Sequence, residues 1–405
     1  MTDRDDVLKL YERHISTGAA RMAAQVGLPV EARAEGATVW DTSGRAYLDC
    51  GGYGVFLTGH RHPAIVAALH AQLDRMPLST RTFLSTDLAI AASRLAAVAP
   101  AGLERVYFAS SGAEAVETAL KLARASGRRR IISMGGGFHG KTLGALTVTD
   151  RPVYRQPFRP LLPDAVTVPF GDVEALRSAL AADPAKAAVI VEPIQGESGV
   201  RIPPDGYLAA VAEACRAHDA YLIVDEIQTG MGRTGSSWWA CDREAVVPDL
   251  LLAGKSLGGG CVPVSAVIGT PDAFRPLDRN PRLHSSTFGG NPLAVTAVTA
   301  TIDTIIQESL IPKATTLGET LLAALTSVPR PPTVEDIRGR GLLLAIECTT
   351  PAAAHTLSAT LLTTGVLTAP PLSADRVVRL SPPATLTPTQ TTTLTTALTT
   401  ALQSP

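Results

Sequence analysis

The chain has 405 residues, 45% of them hydrophobic, so it is long enough to bury a large core in one or more domains. Its 36 basic and 37 acidic residues give a formal net charge of −1, so we expect neither nucleic acid nor an anionic membrane as a partner. The five cysteines form no C-x-x-C pair, which predicts free core thiols without a disulfide framework. The N-terminus lacks an apolar secretory region and no apolar run reaches the ~18 residues of a spanning helix, so we expect a cytoplasmic protein.

The first 60 residues predict small elements followed by a loop that lines a pocket. A short amphipathic pattern near the N-terminus gives way to polar sequence, and residues 37–48 predict a β-hairpin with its turn at Ser43 and Gly44. The glycine-rich stretch after this hairpin carries Tyr53 and Phe56, as expected for a loop beside a ligand.

Residues 80–290 alternate short apolar runs with helical patterns, which predicts a mostly parallel sheet with helical crossovers. Few of these runs alternate polar with apolar residues, as expected for strands covered on both faces. The predicted strands are 105–108, 130–133, 188–191, 222–224, 250–252 and 264–268. A helical stretch over 293–310 then leads to a predicted strand at 339–347 and a threonine-rich terminal helix whose leucines recur every four residues.

Two predicted strands bring a lysine and an aspartate to strand ends. Residues 249–260 run from an apolar strand into a glycine-rich turn around Lys255, where partial desolvation lowers the pKa of a lysine and makes it nucleophilic. The strand at 221–225 ends in Asp225. A lysine for the aldehyde and an acid for the pyridinium nitrogen are the two groups that a pyridoxal phosphate (PLP) site needs. A surface lysine is the alternative, and a P-loop is excluded because Asp249 stands where its first glycine belongs.

Two further strand ends carry candidate binding groups. Ser111 and Glu114 form an S-x-x-E capping box at a helix start whose free N–H groups favour a phosphate, with an ordinary capped helix as the alternative. The turn at 135–140 contains G-x-G-x-x-G, but no long helical pattern follows, so the match to a dinucleotide fold is weak. We expect it to place Phe138 or His139 against a planar ring, with core and loop roles as the alternatives.

Acidic and histidine residues complete the candidate groups. Glu192 and Glu197 follow another strand and put two carboxylates near the carboxyl edge of the sheet, where ligands of open α/β folds bind. His60 and His62 form a potential metal pair, but no third ligand is suitably spaced, so we expect no metal site.

Four motifs stand in a fixed order and together resemble those of the class III, ornithine-type aminotransferases of PLP fold type I. They are S-S-G-A-E-A at 110–115, F-H-G at 138–140, D-E-I-Q-T-G-M-G-R-T-G at 225–235 with A-G-K-S at 253–256, and S-T-F-G-G-N-P at 286–292. The similarity extends over almost the whole chain, and the combination is far more specific than any one motif.

The resemblance implies an α/β fold with two domains. The large PLP-binding domain, with a mostly parallel central sheet flanked by helices, is expected at 51–292, followed by connecting helices at 293–330. A small α+β domain is expected to combine the N-terminal segment 1–50 with the C-terminal segment 331–405.

The resemblance also implies a role for each site residue. Lys255 would form a Schiff base with the cofactor and shuttle a proton at the substrate carbon, while Asp225 would pair with the ring nitrogen. Thr287 would reach the cofactor phosphate of a second subunit, which implies a homodimer. The other implied cofactor contacts are Ser111, Gly112 and Ala113 at the phosphate, Phe138, Ile227 and His139 around the ring, Gln228 at the ring 3-oxygen, and Glu192.

Substrate preference is expected to depend on two cationic positions. Glu197 and Arg379 match a family pair whose arginine is freed to receive a 2-oxo acid carboxylate, with a permanent ion pair as the alternative. Lys141 stands where ornithine and acetylornithine enzymes usually carry an arginine that clamps the donor carboxylate. Because lysine binds carboxylates less well, we expect a donor without a carboxylate at that end. Tyr53 and Phe56 are the expected pocket walls.

The sequence thus predicts a PLP-dependent aminotransferase that moves an amino group from an ω-amine or a diamine such as putrescine to 2-oxoglutarate or pyruvate by a ping-pong mechanism. An ornithine-type, acetylornithine-type or specialised biosynthetic aminotransferase is an alternative. A racemase, decarboxylase or aminomutase on the same scaffold, and a non-catalytic homologue, are the remaining hypotheses. Intact Lys255, Asp225 and Gln228 disfavour the last of these.

Overall fold

The computed structural model describes residues 3–403, so positions 1–2 and 404–405 of the predicted terminal segments lie outside the described residues. The strands are Glu31–Glu35 (β1), Thr38–Asp41 (β2), Ala46–Asp49 (β3), Arg105–Ala109 (β4), Arg130–Met134 (β5), Ala165–Val168 (β6), Ala187–Val191 (β7), Tyr221–Asp225 (β8), Leu250–Ala253 (β9), Ser265–Gly269 (β10), Val334–Arg340 (β11), Leu343–Cys348 (β12), Val366–Leu367 (β13) and Val377–Leu380 (β14).

The α-helices are Arg4–His14 (α1), Thr17–Val26 (α2), Pro63–Arg75 (α3), Thr86–Ala97 (α4), Gly112–Ala125 (α5), Leu143–Val148 (α6), Pro152–Arg155 (α7), Val173–Ala181 (α8), Tyr207–Ala217 (α9), Pro271–Arg279 (α10), Pro292–Gln307 (α11), Leu310–Ser327 (α12), Pro351–Thr363 (α13) and Pro388–Gln403 (α14). Short 3-10 helices cover Gly52–Gly54, Gln156–Phe158, Ala240–Glu244 and Lys255–Gly258. Between residues 3 and 403, no helix is long and apolar enough to cross a membrane.

A seven-stranded mixed sheet in the order β4-β10-β9-β8-β7-β5-β6 forms the centre of the fold within residues 3–403. Strands β9, β8, β7, β5 and β6 are parallel, and β10 is antiparallel to both of its neighbours. Successive residues such as Val189 and Ile190 enter separate buried clusters on opposite faces, which explains why these strands have continuous apolar sequences. The predicted α/β fold with a mostly parallel central sheet is confirmed.

The six predicted central strands are present, but other elements differ from the prediction. The prediction missed β6 because this edge strand has only four residues, is partly exposed and lies between Pro163 and Pro169. The predicted single strand at 339–347 is wrong, because the chain turns at Gly341 with a φ of +54° and forms the antiparallel hairpin β11–β12. The N-terminal polar stretch contains α2, which begins after the N-cap Ser16.

Two smaller sheets combine distant parts of the sequence. In the sheet β1-β2-β3-β13, the predicted hairpin β2–β3 pairs through β3 with β13, which comes more than 300 residues later and runs parallel to it. The antiparallel sheet β11-β12-β14 carries Arg379 on its third strand. The N- and C-terminal segments therefore share a sheet, while the domain limits at residues 50, 292 and 330 stay predictions.

A buried arginine joins the glycine-rich N-terminal loop to the C-terminal part of the chain. Arg233 is fully buried and donates hydrogen bonds to the carbonyls of Leu342, Pro382 and Gly54. Burial lowers the pKa of Arg233 to about 10, so the guanidinium is still charged near neutral pH. This side chain thus links three segments, and the Gly54 carbonyl of one of them also accepts a hydrogen bond from Ser256, next to Lys255, at 2.9 Å.

Candidate active site

The carboxyl ends of five strands bring the candidate residues to one edge of the central sheet. Strands β5, β7, β8 and β9 are parallel and end at this edge, and β4 has the same direction because β10 is antiparallel to both β4 and β9. Following the strands in chain order, the loops or strand ends carry Ser111, His139, Glu197, Asp225 and Lys255. Because ligands of open α/β sheets bind beyond the carboxyl ends of the strands, this edge is the candidate active site.

Lys255 lies at the centre of a buried group of polar side chains. It follows β9 in a turn with a φ of +46°, a conformation that costs a non-glycine residue about 1–3 kcal/mol and is enriched at functional sites. Its Nζ lies 4.0 Å from Glu197 Oε1 and 3.2 Å from the amide oxygen of Gln228 when that oxygen faces the cation. Burial, helped by the positive charge of Arg379, lowers the pKa of Lys255 despite the nearby carboxylates. The amine therefore loses its proton more readily than that of an ordinary lysine.

Asp225 is buried at the end of β8 and held by two donors. Its Oδ2 accepts a hydrogen bond from His139 Nδ1 at 2.7 Å, and its Oδ1 accepts one from the backbone N–H of Ile227 at 3.1 Å. Burial opposes the charged form of His139, but the hydrogen bond and negative charge of Asp225 outweigh it and raise the pKa of His139. The imidazole thus fixes the orientation of a carboxylate that can pair with a ligand cation.

Glu192 is a second buried carboxyl group beside this pair. Its Oε2 accepts a hydrogen bond from the backbone N–H of Phe138 at 2.9 Å. Burial is the main cause that raises the pKa of Glu192 to about 7; the positive charge of His139 opposes it, and Asp225 adds to it. Glu192 therefore changes its protonation near neutral pH.

Glu197 and Arg379 form a buried ion pair between the central sheet and β14. Glu197 Oε1 lies 2.8 Å from Arg379 Nη1, while Glu197 Oε2 accepts a hydrogen bond from the backbone N–H of Leu372 at 2.9 Å. Burial alone would raise the pKa of Glu197, but the positive charges of Arg379 and Lys255 outweigh it and lower this pKa. Within residues 3–403, Arg379 Nε and Nη2 are buried without a hydrogen-bond partner. A planar fork with unused N–H groups is suited to a carboxylate.

The start of α5 provides free backbone donors at the same edge. Ser111 Oγ accepts a hydrogen bond from Glu114 N at 3.2 Å, whereas the Glu114 carboxylate accepts one from Ser110 N at 2.8 Å, so the predicted capping box closes one residue earlier than expected. The first amides of an α-helix have no intrahelical acceptor and favour an anion. A Cβ atom on Gly112 would lie 3.0 Å from Cδ1 of Ile227, so a glycine allows this close packing.

The two aromatic residues predicted as pocket walls have different surroundings. Tyr53 is exposed, and its ring centroid lies 5.5 Å from Arg379 Cζ. Phe56 is partly buried and stacks on His60 with a centroid distance of 3.7 Å, while His60 bonds to Asp49 Oδ2 at 2.8 Å. Phe56 therefore packs against a hydrogen-bonded histidine, and Tyr53 lies beside the cationic end of the site.

Lys141 and Thr287 lie outside the contacts around Lys255. Lys141 is exposed, with its Nζ 3.9 Å from the ring centroid of Tyr154 and 6.0 Å from that of Phe138. Thr287 is exposed, and its backbone carbonyl accepts a hydrogen bond from Arg81 Nη1 at 2.9 Å.

The structure adds residues that the sequence did not single out. Leu372 contributes only backbone groups, and Tyr154 lies in a four-residue helix without a motif. Gly196 leaves space for Gln228, since a Cβ atom there would overlap the side-chain amide, and the Gly196 carbonyl accepts from Arg379 Nη1 at 3.2 Å. Only Gly196 had a sequence signal, because it lies within the segment between Glu192 and Glu197.

Comparison with known proteins gives a consistent result over the whole chain. The sequence model of the family "Aminotransferase class-III" matches residues 20–402. An ornithine aminotransferase from Toxoplasma gondii is 34% identical with a TM-score of 0.92, over 99% of this chain and 94% of that one. An acetylornithine aminotransferase from Elizabethkingia anophelis is 32% identical with a TM-score of 0.84, over 100% of both chains. An (S)-enantioselective omega-transaminase from Thermomicrobium roseum is 28% identical with a TM-score of 0.91, over 100% of this chain and 99% of that one.

The residues at the sheet edge fit PLP, the cofactor of this family. The free amides at the start of α5 suit its phosphate, and the buried carboxylate of Asp225 suits its protonated ring nitrogen. Lys255 is an amine with a lowered pKa, as attack on an aldehyde requires. Backbone amides that can donate hydrogen bonds to a phosphate, a buried acid and an amine with a lowered pKa thus lie together at this one edge.

The buried carboxyl group of Glu192 predicts a pH-dependent stability. Its folded pKa of about 7 exceeds the ordinary value of 4.5, so the folded protein retains a proton that the unfolded chain releases, and stability falls as the pH rises through this interval. Glu192→Gln keeps an acceptor for Phe138 and cannot ionise. In urea denaturation of the cofactor-free protein, we expect the variant to exceed the wild type by ~1–3 kcal/mol at pH 8. Near pH 5 the difference should almost vanish.

Glu174→Gln, at a carboxylate whose side chain is 78% exposed, provides the control and should show no such trend. An equal difference between Glu192→Gln and the wild type at both pH values would contradict the protonation change.

The family match leaves few residues at either end uncovered, and two solved structures above 30% identity share the fold over nearly their whole length. The arrangement of residues at the carboxyl edge of the central sheet agrees with membership of this family. The chain therefore belongs to the class III aminotransferases and is a PLP-dependent transaminase.

Proposed function

We propose that this transaminase moves an amino group from an ω-amine or diamine, such as putrescine, to 2-oxoglutarate or pyruvate by a ping-pong mechanism. The observation that carries this proposal is the buried Glu197–Arg379 pair beside Lys255, in which two nitrogens of Arg379, Nε and Nη2, have no partner among residues 3–403. Such an arginine can exchange an internal carboxylate for that of a substrate.

Bound PLP supplies an aldehyde that carries the amino group and a ring that withdraws electrons. Asp225, held by His139, would keep a proton at the ring nitrogen, and Gln228 would contact the ring 3-oxygen. Lys255 would bind the cofactor and then move a proton at the substrate carbon, because its lowered pKa makes the uncharged amine more available as a base. Phe138 and Ile227 are the proposed ring contacts.

The ion pair offers a physical basis for accepting two substrates in turn. While a donor without a carboxylate is bound, Glu197 neutralises Arg379 at 2.8 Å and neither charge is left alone. When a 2-oxo acid follows, its carboxylate takes the place of Glu197 on the guanidinium fork. One pocket can thus accommodate both a neutral and an anionic substrate end.

The surroundings of Lys141 support a donor that has no carboxylate at the end that would face this lysine. Its ammonium group lies over the ring of Tyr154, a cation–π arrangement that engages it with the protein. A lysine also lacks the two-pronged geometry with which arginine binds carboxylates. An ornithine-type or acetylornithine-type donor is the second candidate, because the solved enzymes with those names share 34% and 32% identity with this chain.

We also propose that the protein is a cytoplasmic homodimer in which Thr287 completes the site of the partner subunit. Thr287 lies beside exposed apolar side chains, among them Phe83 and Phe288, with exposed fractions of 80% and 58%, and Leu84, which is completely exposed. A cluster of large exposed apolar residues is typical of a protein–protein contact. Arg81 donates a hydrogen bond to the backbone carbonyl of Thr287 and so holds the loop that contains it.

A charged residue in this apolar cluster should prevent association. We expect Leu84→Asp to convert a dimer into a monomer in light scattering and to weaken PLP retention, because Thr287 no longer reaches a partner site. Val247→Asp is the matched control, since this exposed residue precedes β9 at the opposite edge of the sheet. A monomeric wild type, or a dimeric Leu84→Asp variant, would contradict the proposal.

The donor preference can be tested in a single half-reaction. The PLP-loaded protein is mixed without acceptor with putrescine, ornithine, N-acetylornithine and β-alanine in turn, and the visible absorbance of the bound cofactor is followed. We expect rapid conversion by putrescine, and no loss of that conversion in Lys141→Met, because no donor carboxylate needs this cation.

Conversion by the amino acids alone, abolished in Lys141→Met, would favour the second candidate and contradict the diamine preference. Sustained turnover of any donor without a 2-oxo acid would contradict transamination itself and indicate another PLP reaction.

A further inference from the structure

Tyr154 connects Lys141, the cation expected to face the donor, to the loop that holds Glu197. Its hydroxyl donates a hydrogen bond to the carbonyl oxygen of Leu372 at 2.7 Å. The backbone N–H of Leu372 donates in turn to Glu197 Oε2 at 2.9 Å, and Ser373 N donates to the backbone carbonyl of Glu197 at 3.0 Å. Tyr154 is thus two hydrogen bonds away from the carboxylate that neutralises Arg379.

The two oxygens of Glu197 have different partners, and in the proposed function Glu197 would lose only its Arg379 partner when a substrate carboxylate binds. Oε1 contacts Arg379 Nη1 at 2.8 Å and Oε2 contacts Leu372 N at 2.9 Å. A buried carboxylate that loses its cation needs its remaining donors, because an unpaired buried charge is strongly unfavourable. The position of the Leu372 N–H therefore affects how easily Arg379 is released.

We propose that Tyr154 is a positioning residue for the acceptor half-reaction: it fixes the Leu372 N–H that retains Glu197 after Arg379 turns to the 2-oxo acid. This inference rests on the proposed function, in which Glu197 and Arg379 separate once in each cycle. It assigns no direct substrate contact to Tyr154, whose hydroxyl is already used by Leu372.

The ammonium group of Lys141 strengthens the hydrogen bond from Tyr154 to Leu372. Lys141 Nζ lies 3.9 Å from the ring centroid, where a positive charge stabilises electron density on the phenol and makes its O–H a better donor. Lys141 therefore acts on the Leu372 loop through Tyr154. Lys141, the cation expected to face the donor, thus also affects the binding of the acceptor.

Tyr154→Phe removes only the hydroxyl and keeps the ring beneath Lys141. Titration of the PLP-loaded protein with glutarate, an unreactive dicarboxylate analogue of 2-oxoglutarate, measures acceptor binding without turnover. We expect the dissociation constant of glutarate, and the Michaelis constant for the oxo acid acceptor, to rise about three- to tenfold in the variant, as for loss of one hydrogen bond. The amine half-reaction should be unchanged, and backbone amides at 370–373 should exchange hydrogen faster than in the wild type.

Tyr221→Phe is the matched control, because it loses a comparable bond to Asp272 Oδ2 at 2.7 Å at the start of β8, away from the carboxyl edge. We expect glutarate binding, the Michaelis constant for the acceptor and the amine half-reaction to be unchanged in this variant. Unchanged glutarate binding in Tyr154→Phe, or equal losses for donor and acceptor, would overturn the role of Tyr154. A wild type that binds neither glutarate nor a 2-oxo acid would contradict the proposed acceptor itself, and the role of Tyr154 with it.

Discussion

The buried ion pair between Glu197 and Arg379 is the interaction on which the site depends. Both side chains are almost completely removed from solvent, with exposed fractions of 3% and 0%, so each needs the other to offset the cost of desolvation. The pair also joins the central sheet, through the loop after β7, to the three-stranded sheet that contains β14. Because Glu197 and Arg379 act in opposite directions on the pKa of Lys255, the loss of either charge alone would alter the electrostatic environment of this amine.

The central sheet makes this arrangement possible by placing five strand ends side by side. Asp225 and Lys255 follow neighbouring parallel strands, and His139 returns from β5 to hold Asp225 at 2.7 Å. Two buried acids thus have opposite shifts: burial raises the pKa of Glu192 to about 7, whereas nearby cations lower the pKa of Glu197. The same edge therefore provides a carboxylate that stays charged and a carboxyl group that titrates near neutral pH.

The sequence was sufficient for six of the seven strands of the central sheet, but less so for contacts made by the backbone. Buried parallel strands have continuous apolar sequences, so β7, β8 and β9 were predictable, whereas the short edge strand β6 was not. Lys255 and Asp225 were predicted as catalytic residues from strand ends and motifs, and the structure places Asp225 at the end of β8 and Lys255 after the neighbouring strand β9. The pairing of Glu197 with Arg379 came from family resemblance, since 182 residues separate them. Leu372 was missed because an amide and a carbonyl leave no side-chain signature.

The role of the ion pair is tested most directly by comparing both half-reactions in the double variant Glu197→Gln/Arg379→Met, which removes both charges of the pair together. Rapid mixing with the amine measures the donor half, and rapid mixing of the aminated enzyme with 2-oxoglutarate measures the acceptor half. We expect the acceptor half to slow by about 10- to 100-fold while the donor half is nearly preserved, because only the acceptor carboxylate needs Arg379. Equal slowing of both halves would contradict a carboxylate site at Arg379 and would leave the ion pair a purely structural role.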